Sequence, residues 1–315
     1  MPLSREKSGI RISEVRGLRF IVTGASSFIG SAVVKKLKDE GHKVTEFRHS
    51  FEEDEDDLPH RADIWLHFAW AGAGSKDRAD DEVQGYNIGM SMAALEKAIE
   101  LNCKKFIFAG SQAEYGRAQD GGLKKEELKT EPVSAYGDAK LMFSKLAATR
   151  INAYNREEDC PRPVRYIHMR LFSVYGPGDH EGSLINTLID RLSSGEKTEL
   201  GSCGQSWDYM YIDDAVEAVY TLCTKFTGGT YNIGSGDIRP LKDYVREASD
   251  IILSSGQKAA DAEGLLIFGA REDNAEGAAD LSPDITKLKE LGFTPKVSFE
   301  EGMKRTIAAR LNNKA

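Results

Sequence analysis

Tyr136 and Lys140 are four residues apart at the start of a predicted helix, a spacing that places both side chains on one helical face. A phenol with its ordinary pKa near 10 exchanges protons poorly at pH 7, and a neighbouring ammonium lowers that pKa. Lys140 would supply this charge. Because eleven tyrosines give roughly one Tyr-x-x-x-Lys pair by chance, the spacing is weak evidence by itself.

The elements that must position this pair follow from the pattern of the chain. Short β-branched or aromatic runs alternate with helical patterns, which is typical of βαβ units and a parallel sheet. The predicted strands are Arg19–Thr23, Lys43–Arg48, Asp63–Ala69, Lys105–Gly110 and Val164–Leu171. Ser111 follows the fourth strand, at the carboxyl edge where open α/β folds bind ligands. The predicted fold class is α/β, with a doubly wound parallel sheet and a smaller C-terminal lobe after about Phe172.

The turn between the first strand and the first helix has the composition of a phosphate-binding loop. Backbone N–H groups and the helix dipole attract a pyrophosphate at such a position. Gly24 permits the sharp turn and Gly30 permits close helix–strand packing, whereas Ser27 replaces the middle glycine of the usual fingerprint. A purely structural turn is the alternative. The cofactor-binding candidates here are Gly24, Ser26, Ser27, Phe28, Ile29 and Gly30.

Arg48 stands at the end of the second predicted strand and is followed by His49. An acidic residue at this place would hold the ribose hydroxyls of NAD, whereas an arginine fits the 2′-phosphate of NADP. The sequence therefore favours NADP over NAD, with Arg48 and His49 as cofactor-binding candidates. The alternative is that Arg48 is a solvated cation at a strand end.

Composition excludes several classes of function. The chain of 315 residues has a formal net charge of -8 and no clustered basic patch, which disfavours nucleic-acid partners. It lacks a run of about 18 apolar residues, and residues 1–17 are charged, so we expect a cytoplasmic protein with neither a signal peptide nor a membrane span. The four cysteines are dispersed, which indicates reduced thiols and no metal site.

The predicted helix over Asn87–Asn102 shows two apolar faces. One contains Ile88, Met92, Leu95 and Ile99, and the other contains Met90, Ala94 and Ala98. One face would cover the sheet while the other meets a partner chain, which predicts a homodimer.

Several motifs occur in the order found in one family. They are Thr23–Gly30, His67-Phe68-Ala69, Asn87, Ser111 with Tyr115-Gly116, Tyr136 with Lys140, Arg170 with Tyr175-Gly176-Pro177-Gly178, and the later segments Asp208–Asp214, Tyr231–Gly236 and Leu291–Gly302. Together they resemble the extended short-chain dehydrogenases/reductases of the NAD(P)-dependent epimerase/dehydratase family. The resemblance covers nearly the whole chain after Gly17.

The resemblance implies a domain organisation and a catalytic triad. Residues 1–17 would be an N-terminal extension, 18–173 a dinucleotide-binding Rossmann domain with a return segment around 208–235, and 174–207 with 236–315 a substrate-binding lobe. In family terms Tyr136 is the general acid/base, Ser111 hydrogen-bonds the reacting oxygen, and Lys140 also holds the nicotinamide ribose. Ala69 and Asn87 would contact the cofactor.

Departures from the family pattern limit the reactions that we expect this protein to catalyse. Dehydratases place Asp-Glu after the Ser/Thr because elimination of water needs a second acid and base, but Gln112 and Ala113 stand there, with Glu114 one residue on. The substrate-binding candidates are Gln112, Ser173, Trp207 and Arg271, of which Ser173 and Trp207 replace family residues that contact the substrate diphosphate. Trp207 would either stack on the substrate or be a packed aromatic. Arg271 matches a phosphate-binding position.

The leading hypothesis is an NADPH-dependent reductase of a nucleotide-activated 4-keto or 4-keto-6-deoxy sugar. It is consistent with Arg48 and with the missing dehydratase pair. A nucleotide-sugar epimerase with retained NAD uses the same triad and is the alternative. A non-catalytic NADPH-binding sensor on the same fold is the third interpretation.

Overall fold

The computed structural model describes residues 17–47, 58–72, 77–117, 122–255, 264–271 and 280–312. Its strands are β1 (Arg19–Thr23), β2 (Lys43–Phe47), β3 (Ile64–His67), β4 (Lys105–Ser111), β5 (Arg165–Leu171), β6 (Ser173–Tyr175), β7 (Thr198–Glu199), β8 (Ser206–Tyr211), β9 (Gly229–Ile233), β10 (Ile238–Pro240) and β11 (Leu266–Ile267). Its α-helices are α1 (Phe28–Asp39), α2 (Asp81–Glu100), α3 (Ala135–Tyr154), α4 (Leu184–Ser193), α5 (Ile212–Thr224), α6 (Leu241–Ser255), α7 (Thr286–Glu290) and α8 (Phe299–Asn312).

A six-stranded parallel sheet in the order β2-β1-β3-β4-β5-β9 forms the centre of the molecule. The crossovers from β1 to β2 and from β3 to β4 run through α1 and α2, as parallel pairing requires. All parallel strands end at one edge, so the ends of β1 and β4 face the same side as the start of α3. This edge positions the candidate site.

Helices cover both faces of this sheet, which confirms the Rossmann-like, doubly wound prediction. On one face α1 packs against α5, and on the other α2 packs against α3. The first core includes Val22, Val33 and Leu37, while the second includes Trp65 and Phe108, all almost fully buried. The strands β1, β3 and β4 have largely apolar sequences because both of their faces are covered.

The remaining strands and helices form the smaller lobe. A three-stranded sheet in the order β10-β8-β6 packs with α6 and α8. The helix α4 packs against α6, and β7 pairs with β11. Its buried residues belong to the same apolar cluster as the α1–α5 face of the large sheet. The return to the large sheet consists of α5 and β9, so it begins at Ile212, whereas the predicted start near residue 208 falls inside β8, a strand of the lobe.

Two features of α2 go beyond the sequence-based prediction. The helix begins at Asp81, six residues before Asn87, because the side chain of Asp80 caps the N–H groups of Glu82 and Val83. Both apolar faces contribute to the core of this chain, since Ala94 and Ala98 of one face and Leu95 and Ile99 of the other are buried in the same apolar cluster. Within the described ranges, no helix is long and apolar enough to cross a membrane.

Candidate active site

The turn between β1 and α1 has the geometry of a phosphate cradle. Gly24 has φ +71°, and a Cβ there would lie 2.5 Å from the backbone nitrogen of Ala69. A Cβ on Gly30 would lie 2.1 Å from the carbonyl oxygen of Gly24. Both glycines are therefore required by close backbone approach. The residues present fit a bound pyrophosphate, because only hydrogen occupies these two places and the first helical turn points its amides at the loop.

Ser27 replaces the middle glycine and caps the helix that follows. Its Oγ accepts a hydrogen bond from the N–H of Gly30 at 3.1 Å and donates to the carbonyl of Gly24 at 2.7 Å. The N–H groups of Phe28 and Ile29 have no acceptor within the helix, as in the first turn of any α-helix. Ser27 thus rigidifies the turn and leaves two amides for an anion.

Ser111 lies where β4 ends, as predicted from its place in the sequence. Its Oγ accepts a hydrogen bond from the N–H of Ala113 at 3.1 Å, and its own N–H donates to Oε1 of Glu114 at 2.8 Å. This reciprocal capping box begins a 3-10 turn over Gln112–Tyr115. The turn holds Ser111 at the sheet edge, and Ser111 lines the larger of two cavities there.

Tyr136 and Lys140 lie in the first turns of α3, which Ser134 caps through the N–H of Gly137. Tyr136 lines the larger cavity with Ser111, whereas Lys140 lies behind it, with its Nζ 5.7 Å from the centroid of the Tyr136 ring. The predicted triad is therefore brought together, with its lysine in a buried position.

The surroundings of Lys140 explain its electrostatics. Its Nζ donates to the carbonyl of Ala109 at 2.7 Å and lies 3.8 Å from the centroid of the Trp70 ring. Burial lowers the pKa of Lys140 to about 7, and the charge of Arg78 adds to this effect while Glu114 opposes it. The charged form of Lys140 is therefore less stable than that of an exposed lysine, and Trp70 compensates part of its lost hydration.

Two cavities lie along the carboxyl edge of the sheet. The larger, of about 580 Å³, is lined among others by Phe28, Ser111, Tyr136, Ser173 and Trp207. The smaller, of about 240 Å³, is lined by the β1–α1 turn and by Phe47, Ala69 and Asn87. Because the turn contributes to both cavities, a dinucleotide bound on it would extend from one into the other.

Asn87 positions a loop beside the smaller cavity. Its side chain makes two hydrogen bonds of 2.8 Å to the backbone N–H and carbonyl of Ala71. His67, on the same side, bonds to Thr23 Oγ1 at 2.7 Å and to Ser91 Oγ at 2.9 Å, and burial lowers its pKa to about 3. These polar contacts fix β1, β3 and α2 around the predicted cofactor contact Ala69.

The side chain of Glu114 belongs to a buried network of polar contacts. It is fully inaccessible, Oε1 lies 2.9 Å from His168 Nε2, and Oε2 accepts a 3.0 Å hydrogen bond from Arg170 Nε. Burial disfavours its charged form, but His168 and Arg170 outweigh burial and lower the pKa of Glu114. Glu114 is not among the described residues that line the larger cavity, so it does not supply a second acid for dehydration there.

The predicted substrate residues divide into two groups. Gln112, Ser173 and Trp207 all line the larger cavity, and Gln112 Nε2 donates to Ser173 Oγ at 3.4 Å. Trp207 is also packed against Tyr209, and its buried indole N–H has no hydrogen-bond partner among the described residues. Arg271 is exposed and is not among the described residues lining either cavity. Its backbone N–H donates a hydrogen bond to the carbonyl of Leu200 at 3.1 Å.

Some predicted residues fall outside the described part of the chain. Arg48, His49 and residues 1–16 belong to this group, so the NADP prediction and most of the N-terminal extension have no structural description.

Two further residues of the larger cavity were missed by the sequence analysis. Arg78 and Gln205 line this cavity, but no motif in the sequence points to either of them. The Oε1 of Gln205 is buried and has no partner among the described residues, which leaves it available to a ligand.

The structure thus combines a Rossmann-like fold with Ser111, Tyr136 and Lys140 grouped beside the glycine-containing turn. The model of the NAD dependent epimerase/dehydratase family matches residues 20–234, and the chain belongs to that family. Among curated proteins it is similar to the uncharacterized UDP-glucose epimerase YtcB of Bacillus subtilis, with 27% identity over 92% of this chain and 97% of that protein.

Solved structures show the same fold. UDP-glucose 4-epimerase of Thermotoga maritima, crystallised with UDP-glucose, has a TM-score of 0.75 and 23% identity, with coverage of 95% of this chain and 100% of that one. UDP-glucose 4-epimerase of Thermus thermophilus, in complex with NAD, has a TM-score of 0.74 and 21% identity, with coverage of 93% and 98%.

Proposed function

We propose that this protein is a nucleotide-sugar epimerase that keeps NAD bound and inverts a sugar carbon by transient oxidation. The observation that carries the proposal is the placement of Ser111 and Tyr136 in one cavity of about 580 Å³ that begins at Phe28 of the phosphate turn. A sugar in this cavity would therefore contact both the proton-transfer groups and the cofactor.

The protein's own residues would bind and orient the sugar and move its proton. Bound NAD supplies an acceptor, and then a donor, of a hydride. Tyr136 takes the proton from the sugar hydroxyl as the carbon loses its hydride, and returns it when the hydride is restored on the opposite face of the ketone. Ser111 donates a hydrogen bond to the reacting oxygen, and charged Lys140 stabilises the Tyr136 phenolate.

NAD is proposed as the cofactor on the basis of the relatives of this chain. The family is described as NAD dependent, and the Thermus structure contains NAD. The β1–α1 turn would hold the pyrophosphate, Asn87 would keep the Ala71 loop in place, and Lys140 would hold the nicotinamide ribose. The lobe containing Trp207 and Gln205 would cover the substrate. UDP-linked sugars are the first substrates to test, because the named relatives are UDP-glucose epimerases.

An NADPH-dependent reductase of a 4-keto sugar nucleotide is the second candidate. Arg48 favours it, because an arginine at the end of the second strand fits the 2′-phosphate of NADP. The two candidates differ in what happens to the cofactor, since an epimerase regenerates it within each turnover and a reductase consumes it.

A cofactor-retention experiment distinguishes the candidates. The protein would be purified without added cofactor, denatured, and its supernatant analysed for nicotinamide nucleotides, while the intact protein is incubated with UDP-hexoses and the products are resolved by NMR. We expect stoichiometric NAD and formation of an epimer without added cofactor. Empty protein that oxidises NADPH in the presence of a 4-keto sugar would support the reductase, and cofactor binding without turnover would support a sensor.

We also propose that the protein is a homodimer whose interface is formed by α2 and α3. Met142 and Leu146, one helical turn apart on α3, are 53% and 42% exposed, and Tyr86 on α2 is 59% exposed. Large apolar side chains grouped on one helical face are typical of an interface between copies.

A further inference from the structure

A buried carboxylate lies against the backbone of Ser111. Glu114 is completely inaccessible, and its Oε1 accepts a hydrogen bond from the N–H of Ser111 at 2.8 Å. A Cβ on Gly110 would lie 2.4 Å from this Oε1 and 2.2 Å from His168 Nε2, so the carboxylate and the imidazole are packed tightly on the end of β4. Glu114 is not among the described residues that line either cavity, so it contacts the site only through the chain.

Two basic side chains of β5 hold this carboxylate in place. His168 Nε2 lies 2.9 Å from Oε1, and Arg170 Nε donates to Oε2 at 3.0 Å. Arg170 is itself held, since its Nη1 donates to the carbonyl of Glu126 at 3.0 Å and its guanidinium carbon lies 4.5 Å from the centroid of the Tyr115 ring. All of these residues are buried. A carboxylate bound through both oxygens has little freedom, so the N–H that donates to it is fixed as well.

Stability alone does not account for a charged network at this place. Removing charges from water costs free energy that their mutual attraction often only just repays, and apolar residues of similar volume are commonly as stable as a buried ion pair. Departures of this kind from a simple apolar core are typical of functional positions. Here the network adjoins Ser111, the residue that the proposed mechanism places on the reacting oxygen.

The hydroxyl of Ser111 can donate into the cavity. Its Oγ accepts a hydrogen bond from the N–H of Ala113 at 3.1 Å, which is the other half of the capping box with Glu114. A hydroxyl that accepts through its oxygen can still donate its hydrogen, in this case to a substrate oxygen. The direction of that bond depends on the position of the Ser111 backbone, and a displacement of about 1 Å at a reacting centre can lower a rate about 100-fold.

We propose that Glu114 is a positioning residue for the reaction: with His168 and Arg170 it holds the Ser111 backbone so that the Ser111 hydroxyl is aimed at the reacting oxygen. This inference rests on the proposed function. Glu114 acts on the reaction through Ser111. Loss of its carboxylate should therefore lower kcat and leave the KM for the sugar nucleotide nearly unchanged, because the binding contacts in the cavity remain.

A double-mutant cycle tests the coupling between Glu114 and Ser111. The kinetics of UDP-hexose epimerisation would be measured for the wild type, Glu114→Gln, Ser111→Ala and the double variant. A glutamine has nearly the same shape but presents one oxygen and one N–H₂ group, so it cannot accept from Ser111 and Arg170 together. Glu127→Gln is the matched control, because the side chain of Glu127 is 70% exposed.

We expect Glu114→Gln to lower kcat about 10- to 100-fold in the wild-type background and less than about threefold in the Ser111→Ala background, where no hydroxyl is left to position. Glu127→Gln should change kcat in neither background. Equal losses in the two backgrounds would show that Glu114 supports only the fold, and would overturn the inference. A kcat in Glu114→Gln equal to that of the wild type would do the same.

The Glu114→Asp variant keeps the test decisive if Glu114→Gln does not fold. It retains the charge beside Arg170, but its side chain is one methylene shorter and cannot span from Arg170 to the N–H of Ser111. Circular dichroism would show that it is folded, and its loss of kcat should again depend on the presence of the Ser111 hydroxyl. A loss that is independent of Ser111 would contradict the proposed role of Glu114. Absence of turnover in the wild type itself would overturn the proposed function, and this inference with it.

Discussion

At the scale of single residues, Lys140 illustrates a conflict between chemistry and stability. In the proposed mechanism it must be charged to stabilise a phenolate, yet it is almost fully buried, with the carbonyl of Ala109 and the Trp70 ring among its neighbours. Burial of a charged amine costs free energy unless it is paired, and this cost appears as the lowered pKa. We therefore expect Lys140 to destabilise the protein without cofactor.

The Lys140→Met variant tests this expectation through pH. The unfolded chain keeps the lysine proton up to its ordinary pKa of 10.5, whereas the folded protein releases it near pH 7. Between these values the unfolded state binds more protons, so the wild type gains stability as pH rises. Lys140→Met should raise the Tm most at pH 7 and below, and the gain should shrink towards pH 10.

Thermal unfolding at several pH values provides the measurement, with Lys145→Met as control, because Lys145 lies exposed on the same helix. A Tm difference that is independent of pH would contradict this account of Lys140.

The residue scale also shows what sequence can predict about the site. The places of Ser111, Tyr136 and the glycines of the β1–α1 turn were predicted from the sequence, because strand ends and helix starts fix them. The contacts that Arg78 and Trp70 make with α3 were not, because α3 lies some 60 residues further along the chain. The role of Glu114 likewise depends on His168 and Arg170, which reach it only through the pairing of β4 with β5.

At the scale of elements, Lys105 links the sheet to a helix end. Its buried Nζ donates to the backbone carbonyls of Leu222, Cys223 and Lys225 at the end of α5. Carbonyls in the last helical turn lack partners within the helix and attract cations. Lys105 thus joins β4 to α5, whose other face packs on α1 behind the phosphate turn.

The Lys105→Met variant should lose about 1–3 kcal/mol of unfolding free energy, because buried carbonyls are left without a donor. Urea unfolding measures this loss. Lys104→Met is the matched control: it removes an exposed partner of Asp63 and should cost at most about 1 kcal/mol. Equal losses in both variants would show that the α5 carbonyls do not need Lys105.

Element boundaries were predicted well where the local pattern decides them. The strands β1, β2, β4 and β5 agree with the predicted ranges to within a residue or two. The strands β1 and β4, which are buried on both faces, are marked by apolar runs. The start of α2 was missed because the capping residue Asp80 lies before the apolar pattern begins. The role of β8 was also missed, since its pairing with β6 and β10 depends on the lobe as a whole.

At the scale of the whole molecule, the proposed dimer would involve the face of α3 that carries Met142 and Leu146. Two copies related by a two-fold axis would bury these side chains against each other or against α2. The sequence analysis predicted an interface on one face of α2 without choosing between its two apolar faces, because periodicity alone does not show which neighbouring helix packs on which face.

The Met142→Glu/Leu146→Glu double variant should sediment as a monomer at concentrations where the wild type is a dimer, because two carboxylates would be desolvated in each copy. Leu311→Glu, an exposed change on α8, should leave the dimer intact. A monomeric wild type in analytical ultracentrifugation would contradict the proposed interface.

The central claim is that Tyr136 moves the proton while a sugar carbon is oxidised and reduced on a retained cofactor. Conversion of a UDP-hexose to its epimer, followed by NMR without added cofactor, tests it most directly in wild type and Tyr136→Phe. The account predicts a kcat about 10²- to 10⁴-fold lower for the variant, with bound NAD unchanged. Equal turnover by both proteins, or turnover that requires continuous NADPH, would contradict it.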